Sequence, residues 1–319
     1  MRSNTRIHAA LFFAAVAVAL VVSSCSSTPK GNDYEVAVKN QASQYSEFGN
    51  GYFARAEYDM ATRFFELALQ ENLSIDNLPG IAKSYNSLGK VYAAVGRNEE
   101  AREYYRLALD FSALSGNREQ EAQSLINLGE LSMRTGADTQ ALDYFNAAQE
   151  LVTSGVVEEN AILYHNLGTI FARQGNLDSA ETNLNLARET NERENNWAEL
   201  ASNFYMLASV ASRQGKSEEA LRLATSALEY DKRAENSTGI AADLAALGRI
   251  SENSGDLENA YQYYLRSLRV YLTLNLATPT VDILGRLSEV SRKTGREEEA
   301  TDFLAQKTRI ETALSENSH

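Results

Sequence analysis

Residues 84–111 read SYNSLGKVYAAVGRNEEAREYYRLALDF, and two helical faces are written in them. Tyr85, Leu88, Gly89 and Tyr92 recur at steps of three and four, which sets them on one side of a helix. Gly96 then takes the left-handed turn cheaply and ends that helix. A second amphipathic run from Glu99 to Phe111 carries Ala101, Tyr105 and Ala108 at steps of four and three. The stretch predicts two antiparallel helices joined by a tight turn.

The same frame recurs along the chain. Ala61, Ala101, Ala141, Ala180, Ala220, Ala260 and Ala300 stand 40 residues apart, with one interval of 39. Five residues earlier stand Ala56, Gly96, Gly136, Gly175, Gly215, Gly255 and Gly295, and twelve earlier Gly49, Gly89, Gly129, Gly168, Ala208, Gly248 and Ser288. Four residues after each alanine come Phe65, Tyr105, Phe145, Leu184, Ala224, Tyr264 and Leu304. A glycine inside a helix costs about 1 kcal/mol relative to alanine, so its recurrence implies close approach of a neighbouring backbone. A period of this size means supersecondary units that bury their apolar faces only by stacking. The short interval falls near Thr153-Ser154-Gly155, which reads as a connection, where a deletion is tolerated. Pro79 and Pro279 fall near the start of first helices, where the missing N–H costs nothing.

Leu88-Gly89, Tyr92, Gly96, Ala101, Tyr105 and Ala108 resemble the tetratricopeptide repeat, and the resemblance covers roughly residues 34 to 314. The period exceeds the family's usual length of about 34 residues and lacks its proline after the second helix, as in the longer-helix subtype of kinesin light chains and Pins-type scaffolds. The resemblance implies an all-α fold, a right-handed superhelical solenoid of about seven helix-turn-helix repeats. Their expected limits are roughly 34–76, 77–116, 117–155, 156–195, 196–235, 236–275 and 276–316. The last unit is the most divergent, with Ser288 at the glycine position and Lys307 at a small one.

The first residues belong to another kind of segment. Arg2 and Arg6 precede an uncharged run from Ala9 to Val22, short for a membrane span and typical of a signal's apolar core. Val22-Ser23-Ser24-Cys25 resembles the bacterial lipobox, which implies a signal peptide over 1–24, lipidation of Cys25 and a flexible tether over 25–33 ahead of the repeats at 34–319. The protein is then lipid-anchored to a membrane that it does not span. Ser26 lacks the aspartate that retains Gram-negative lipoproteins in the inner membrane, so the expected place is the periplasmic face of the outer membrane. In an organism with one membrane it is the cell surface.

Removing residues 1–24 leaves 28 basic and 43 acidic residues, a net charge of −15, which disfavours nucleic acid and anionic lipid. Cys25 is the sole cysteine, and only His165 and His319 remain as histidines, so no metal-ligand pair has workable spacing. Phosphate loops and nucleophile elbows are absent from the sequence. Acidic runs such as Glu99-Glu100, Glu218-Glu219 and Glu297-Glu298-Glu299 begin second helices, where they complement the helix dipole. Neither an enzyme nor a cofactor is expected.

At 100° per residue, the positions three before and one, four and five after the first-helix glycine face away from its packed side. By resemblance, that face lines the family's binding groove. It offers Asn86, Lys90, Ile126, Arg134, His165, Arg173, Tyr205, Arg213, Arg249 and Lys293. Arg134, Arg173 and Arg213 share one position in three successive units, and a ladder of guanidinium forks suits the carboxylates of a partner segment. Alternatively, each arginine only satisfies a helix C-terminus. The Lys and Asn pattern of the family's carboxylate clamp is incomplete here.

Phe64-Phe65, Tyr104-Tyr105, Tyr144-Phe145 and Tyr263-Tyr264 recur in the second helices and suit packing between units. Trp197 begins a first helix, where it covers a helix junction or marks a contact site. The final helix, with Phe303, Leu304, Ile310 and Leu314, leaves an uncapped side on which another copy can pair. The expected role is a membrane-tethered scaffold for a protein or peptide partner in envelope assembly or secretion. The alternative is an accessory ligand-binding lipoprotein of a transport system, which needs an enclosed cavity.

Overall fold

The computed structural model describes residues 31–316. They form fourteen α-helices, and no strand occurs among the described residues. The helices are α1 (Gly31–Ala54), α2 (Tyr58–Ser74), α3 (Leu78–Ala94), α4 (Asn98–Ser115), α5 (Arg118–Arg134), α6 (Asp138–Thr153), α7 (Ala161–Gln174), α8 (Leu177–Glu194), α9 (Trp197–Arg213), α10 (Ser217–Arg233), α11 (Ser237–Asn253), α12 (Leu257–Thr273), α13 (Ala277–Lys293) and α14 (Glu297–Glu316). The signal segment, Cys25 and His319 lie outside the described residues, whereas residues 31–33, read from sequence as tether, form the first turn of α1. The chain divides after Leu131 into two compact units. Within each, sequential helices pack as hairpins, such as α3 on α4 and α11 on α12.

Two left-handed residues per repeat make the turns. Inside the hairpins they are Gly96, Gly136, Gly175, Gly215, Gly255 and Gly295, with φ between 77° and 85°, and Ala56 takes the equivalent place at 57°. Between hairpins they are Asp76, Gly116, Gly155, Asn195, Glu235 and Asn275. A β-carbon is strained in this region, so Ala56→Gly is expected to stabilise the N-terminal unit by roughly 0.5–1 kcal/mol. A destabilised variant in urea unfolding would contradict that.

The first-helix glycines answer mainly to a side chain instead of the backbone expected, although at Gly168 the Ala180 carbonyl oxygen also stands 3.2 Å from where a β-carbon would be. A β-carbon on Gly89 would stand 2.5 Å from the Tyr105 ring, one on Gly49 2.5 Å from Phe65, and one on Gly248 2.6 Å from Tyr264. Phe65, Tyr105, Leu184 and Tyr264, each four after its alanine, therefore pack against the glycine of the helix before them. Where the glycine becomes Ala208, its partner shrinks to Ala224, and both are buried. The second aromatic of each pair is the core one: Phe65, Tyr105, Phe145 and Tyr264 are at most 4% exposed. The first stacks outward, Phe64 on Tyr52 and Tyr104 on Tyr92 with centroids 5.3 and 5.1 Å apart.

Trp197 of α9 stacks on Tyr230 of α10 at 5.8 Å, and Phe204 stacks on the same ring at 5.4 Å. It covers a helix junction. The 39-residue interval removes more helix than one residue: α7 has 14 residues, and its start is capped by Asn160, whose side chain accepts from Leu163 N–H. The connection runs through residues 154–160, beyond the Thr153-Ser154-Gly155 read from sequence, of which Thr153 is instead the last residue of α6. Pro79 sits in the first turn of α3, as expected.

Polar pairs close the junctions between hairpins. Asn72 Nδ2 donates to Ser84 Oγ at 3.3 Å and Asn77 Nδ2 to Asn72 Oδ1 at 2.7 Å, so the end of α2 is fastened to α3. Forty-residue steps place Ser112 with Ser124, and Asn191 with Asn203, at the same pair of positions. Burial makes the Asn72–Ser84 and Asn191–Asn203 bonds matter, because an unmade one costs about 1–3 kcal/mol.

Candidate functional site

In the N-terminal unit a cleft of about 220 Å³ opens between α1, α3 and α5, floored by Phe53 and Phe65 and rimmed by Asn50, Lys83, Ser87, Lys90, Gln120 and Gln123. Asn86 lies at its base, 5% exposed. Its Nδ2 donates to Ser124 Oγ at 2.9 Å and its Oδ1 accepts from Asn127 Nδ2 at 3.0 Å, so both ends of the amide are committed to joining α3 with α5. Lys90 and Lys83 are exposed and make no ion pair with any described residue. Ile126 is 2% exposed and belongs to the packed interior, which removes it from the groove surface expected of it. The offset rule fails there because α5 is buried on several sides, Ser124 through Gly129 all being covered.

The arginine register of the C-terminal unit is put to structural use. Arg173 Nη1 donates to Met133 O at 3.2 Å and to Asp138 Oδ1 at 3.1 Å. Arg213 Nη1 donates to Ala172 O. Each arginine thus reaches back one repeat and supplies donors to the open carbonyl end of the preceding first helix, where positive charge also meets the negative end of the dipole. The sequence-based alternative had each cap its own helix. Arg134 is exposed in the last turn of α5. Because Arg173 is exposed and Asp138 is partly so, solvent screens their ion pair, which contributes little.

His165 is half-buried. Asn203 Oδ1 accepts from Asn191 Nδ2 at 2.7 Å, which turns the Asn203 amide so that its Nδ2 faces His165 Nδ1 at 2.9 Å. The ring then accepts at Nδ1, and burial pushes its pKa below the ordinary histidine value, so it is held neutral. It joins α7 to α9 instead of standing free in a groove.

Two adjoining clefts share Tyr205 and Arg249. The first, about 250 Å³, is completed by Ser209, Ser212, Arg213 and Asn253, and the second, about 130 Å³, by Ala245, Tyr271, Asp282 and Arg286. Arg249 Nη2 donates weakly to Tyr205 OH at 3.4 Å and makes no ion pair with a described carboxylate. Its neighbours are committed. Lys293 Nζ donates to Glu252 Oε1 at 2.8 Å, and Arg286 lies 4.0 Å from the same carboxylate. Position explains the second cleft: the residue three before the glycine is Tyr205 in α9 but Ala245 in α11 and Gly285 in α13. Ser209, Ser212, Glu252 and Asn253 obey the offsets used on the sequence and were passed over. Asp282 and Arg286 lie six and two before Ser288, one helical step beside that stripe.

The tetratricopeptide repeat model matches residues 41–113, 80–154 and 159–233, and a second model of the same repeat matches 244–277. The chain belongs to the tetratricopeptide repeat family. No curated protein matches it. Among solved structures, this tetratricopeptide-repeat chain resembles the apo form of the quorum sensor NprR from B. thuringiensis, with TM-score 0.67 and 19% identity over 87% of this chain and 77% of that one. It also resembles the Rap conjugation gene regulator of plasmid pLS20 in complex with the Phr* peptide, with TM-score 0.60 and 21% identity over 86% and 74%. A Podospora anserina kinesin light chain with nearly identical repeats gives TM-score 0.51 and 16% identity over 60% and 95%. At these identities the likeness is one of fold. Among the described residues, no helix of this repeat protein is long and apolar enough to cross a membrane.

Proposed function

We propose that this protein is a lipid-anchored scaffold that captures a carboxylate-bearing segment of a protein or peptide partner at the paired clefts of its C-terminal unit. Arg249 carries the assignment. It is an exposed guanidinium without a carboxylate partner among the described residues, set between two clefts in a chain of net charge −13. Arg offers a planar fork to a carboxylate, and Tyr205 beside it offers an amphipathic ring of the kind enriched at binding hot spots. The peptide held by the pLS20 Rap regulator supports a peptide as ligand for this fold. Anchoring at Cys25, and with it a place in envelope assembly or secretion at the outer membrane, rests on the segment order of residues 1–25.

Crosslinking in intact cells, followed by capture of the full lipidated chain, tests the partner. Arg249→Glu is expected to lose the partner recovered with the unmutated chain, with affinity lowered about 30-fold, as for loss of a hot-spot arginine. Equal recovery would remove the clefts from the function. Incorporation of an alkyne-tagged palmitate, abolished by Cys25→Ala, is the expected signature of the anchor. An unlabelled chain found in the soluble fraction would end that part.

A further inference from the structure

One inter-hairpin junction differs in kind from its equivalents. The polar pair is Asn72 with Ser84 between α2 and α3, Ser112 with Ser124 between α4 and α5, and Asn191 with Asn203 between α8 and α9. All of these are neutral. Between α10 and α11 the same two positions hold Asp231 and Asp243. Both are buried, at 5% and 1% exposure, and neither forms an ion pair among the described residues. Asn236, the equivalent of Asn77, donates its Nδ2 to Asp231 Oδ1 at 2.9 Å, and a β-carbon on Gly239, the equivalent of Gly80, would collide with the Asp231 carboxyl. The acid has therefore been fitted into a slot built for an amide, with backbone close against it.

Asp243 Oδ2 is enclosed and has no donor in reach. A second carboxylate facing Asp231 would leave that oxygen unsatisfied and set two like charges together in a poorly solvated place. A proton resolves both, because a carboxylic acid donates where a carboxylate only accepts. The groups around the pair offer no compensating cation. Tyr271 of α12 stands near Asp243, with Tyr205 of α9 and Asp282 of α13 around that tyrosine, and Arg249 of α11 lines the cleft with the two tyrosines.

We propose that Asp231 and Asp243 form a protonation-dependent joint between the fifth and sixth hairpins, closed by a proton on Asp243 shared with Asp231 and loosened when both acids ionise. Burial first, and then the Asp231 charge, hold the Asp243 acid up to about 8. The ordinary aspartate value near 4 applies in the unfolded chain. The folded state thus binds the proton more tightly, so the stabilisation is complete below about pH 4, declines as pH rises, and is gone above about 8. Because Tyr205 and Tyr271 also line the paired clefts, loosening occurs next to the capture site.

Carboxyl ¹³C resonances of the full chain read the joint directly. Asp243 is expected to titrate well above the ordinary range, and aspartates that all titrate near 4 would overturn the proposal. Asp243→Asn recreates the Asn203 side chain of the junction one repeat earlier. The melting temperature of the unmutated chain is expected to fall between pH 5 and pH 8.5, with the variant flatter and the more stable of the two at pH 8.5. Parallel profiles would refute it. Amide-exchange protection, corrected for intrinsic rates, is expected to drop with pH at residues 235–239 and to hold at 195–199, where the neighbouring junction is Asn with Asn. A uniform change at both would assign the pH effect elsewhere.

Discussion

Tyr264→Ala is expected to destabilise the C-terminal unit by about 3–5 kcal/mol, the usual cost of emptying a buried aromatic site. The ring is 0% exposed and packs against Gly248, which has no side chain to fill the space. Its hydroxyl donates to Glu252 Oε2 at 3.0 Å, so the truncation also removes a bond from a nearly enclosed acceptor. Urea unfolding followed by circular dichroism measures the loss, and a change below about 1 kcal/mol would mean that the pocket collapses freely. A companion change makes the contact specific. Gly248→Ala alone is expected to destabilise, because overpacking typically costs 1–3 kcal/mol and outweighs a helix-propensity gain of about 1. In the Tyr264→Ala background the same alanine should be tolerated, as Ala208 with Ala224 already shows in α9 and α10.

Glu252→Ala is the second large effect, expected to cost about 2–4 kcal/mol. The carboxylate is only 10% exposed and accepts from Tyr264 OH and Lys293 Nζ, with Arg286 at the limit of an ion pair. Lys293 and Arg286 are 52% and 40% exposed, so solvent screens their share. Most of the loss therefore comes from stranding the buried Tyr264 hydroxyl. Glu252→Gln keeps an acceptor there and is expected to lose roughly 1 kcal/mol. Equal losses in the two variants would assign the effect to charge instead. Burial, reinforced by the Glu252 charge, raises the Tyr264 phenol far above its normal range, so its ultraviolet titration is expected to be absent at pH 10, and Glu252→Ala, which leaves the larger cause in place, is expected to lower that value only in part.

The hairpin frame was legible because it is repeated. Gly96 and its equivalents announce a left-handed turn through a residue type suited to it, and each such position has positive φ. The second turn of each repeat was not legible, since Asp76, Asn195, Glu235 and Asn275 carry no shared side chain to mark the same backbone conformation. Close approach at Gly89 was correctly inferred but assigned to backbone, because a single sequence does not show that Tyr105 folds back onto it. At the candidate site, helical offsets found Tyr205, Arg213 and Arg249 together. They did not separate a surface position from a floor position, and so Asn86 and Ile126 were grouped with Lys90 although both are covered. They were equally silent on Arg173 and Arg213 reaching back to carbonyls 40 and 41 residues earlier, a contact that exists only after hairpins stack.

Where the small first-helix residue and the bulky second-helix residue meet, both come from one hairpin. A forty-residue cassette therefore carries its own lock and key, and copying or excising a whole cassette leaves that fit intact. The polar clasps such as Asn86 with Ser124 and Asn127 join different cassettes and must be matched afresh at every new seam. Growth of such an array is thus limited by its seams, while the size match inside each cassette drifts only by paired substitutions.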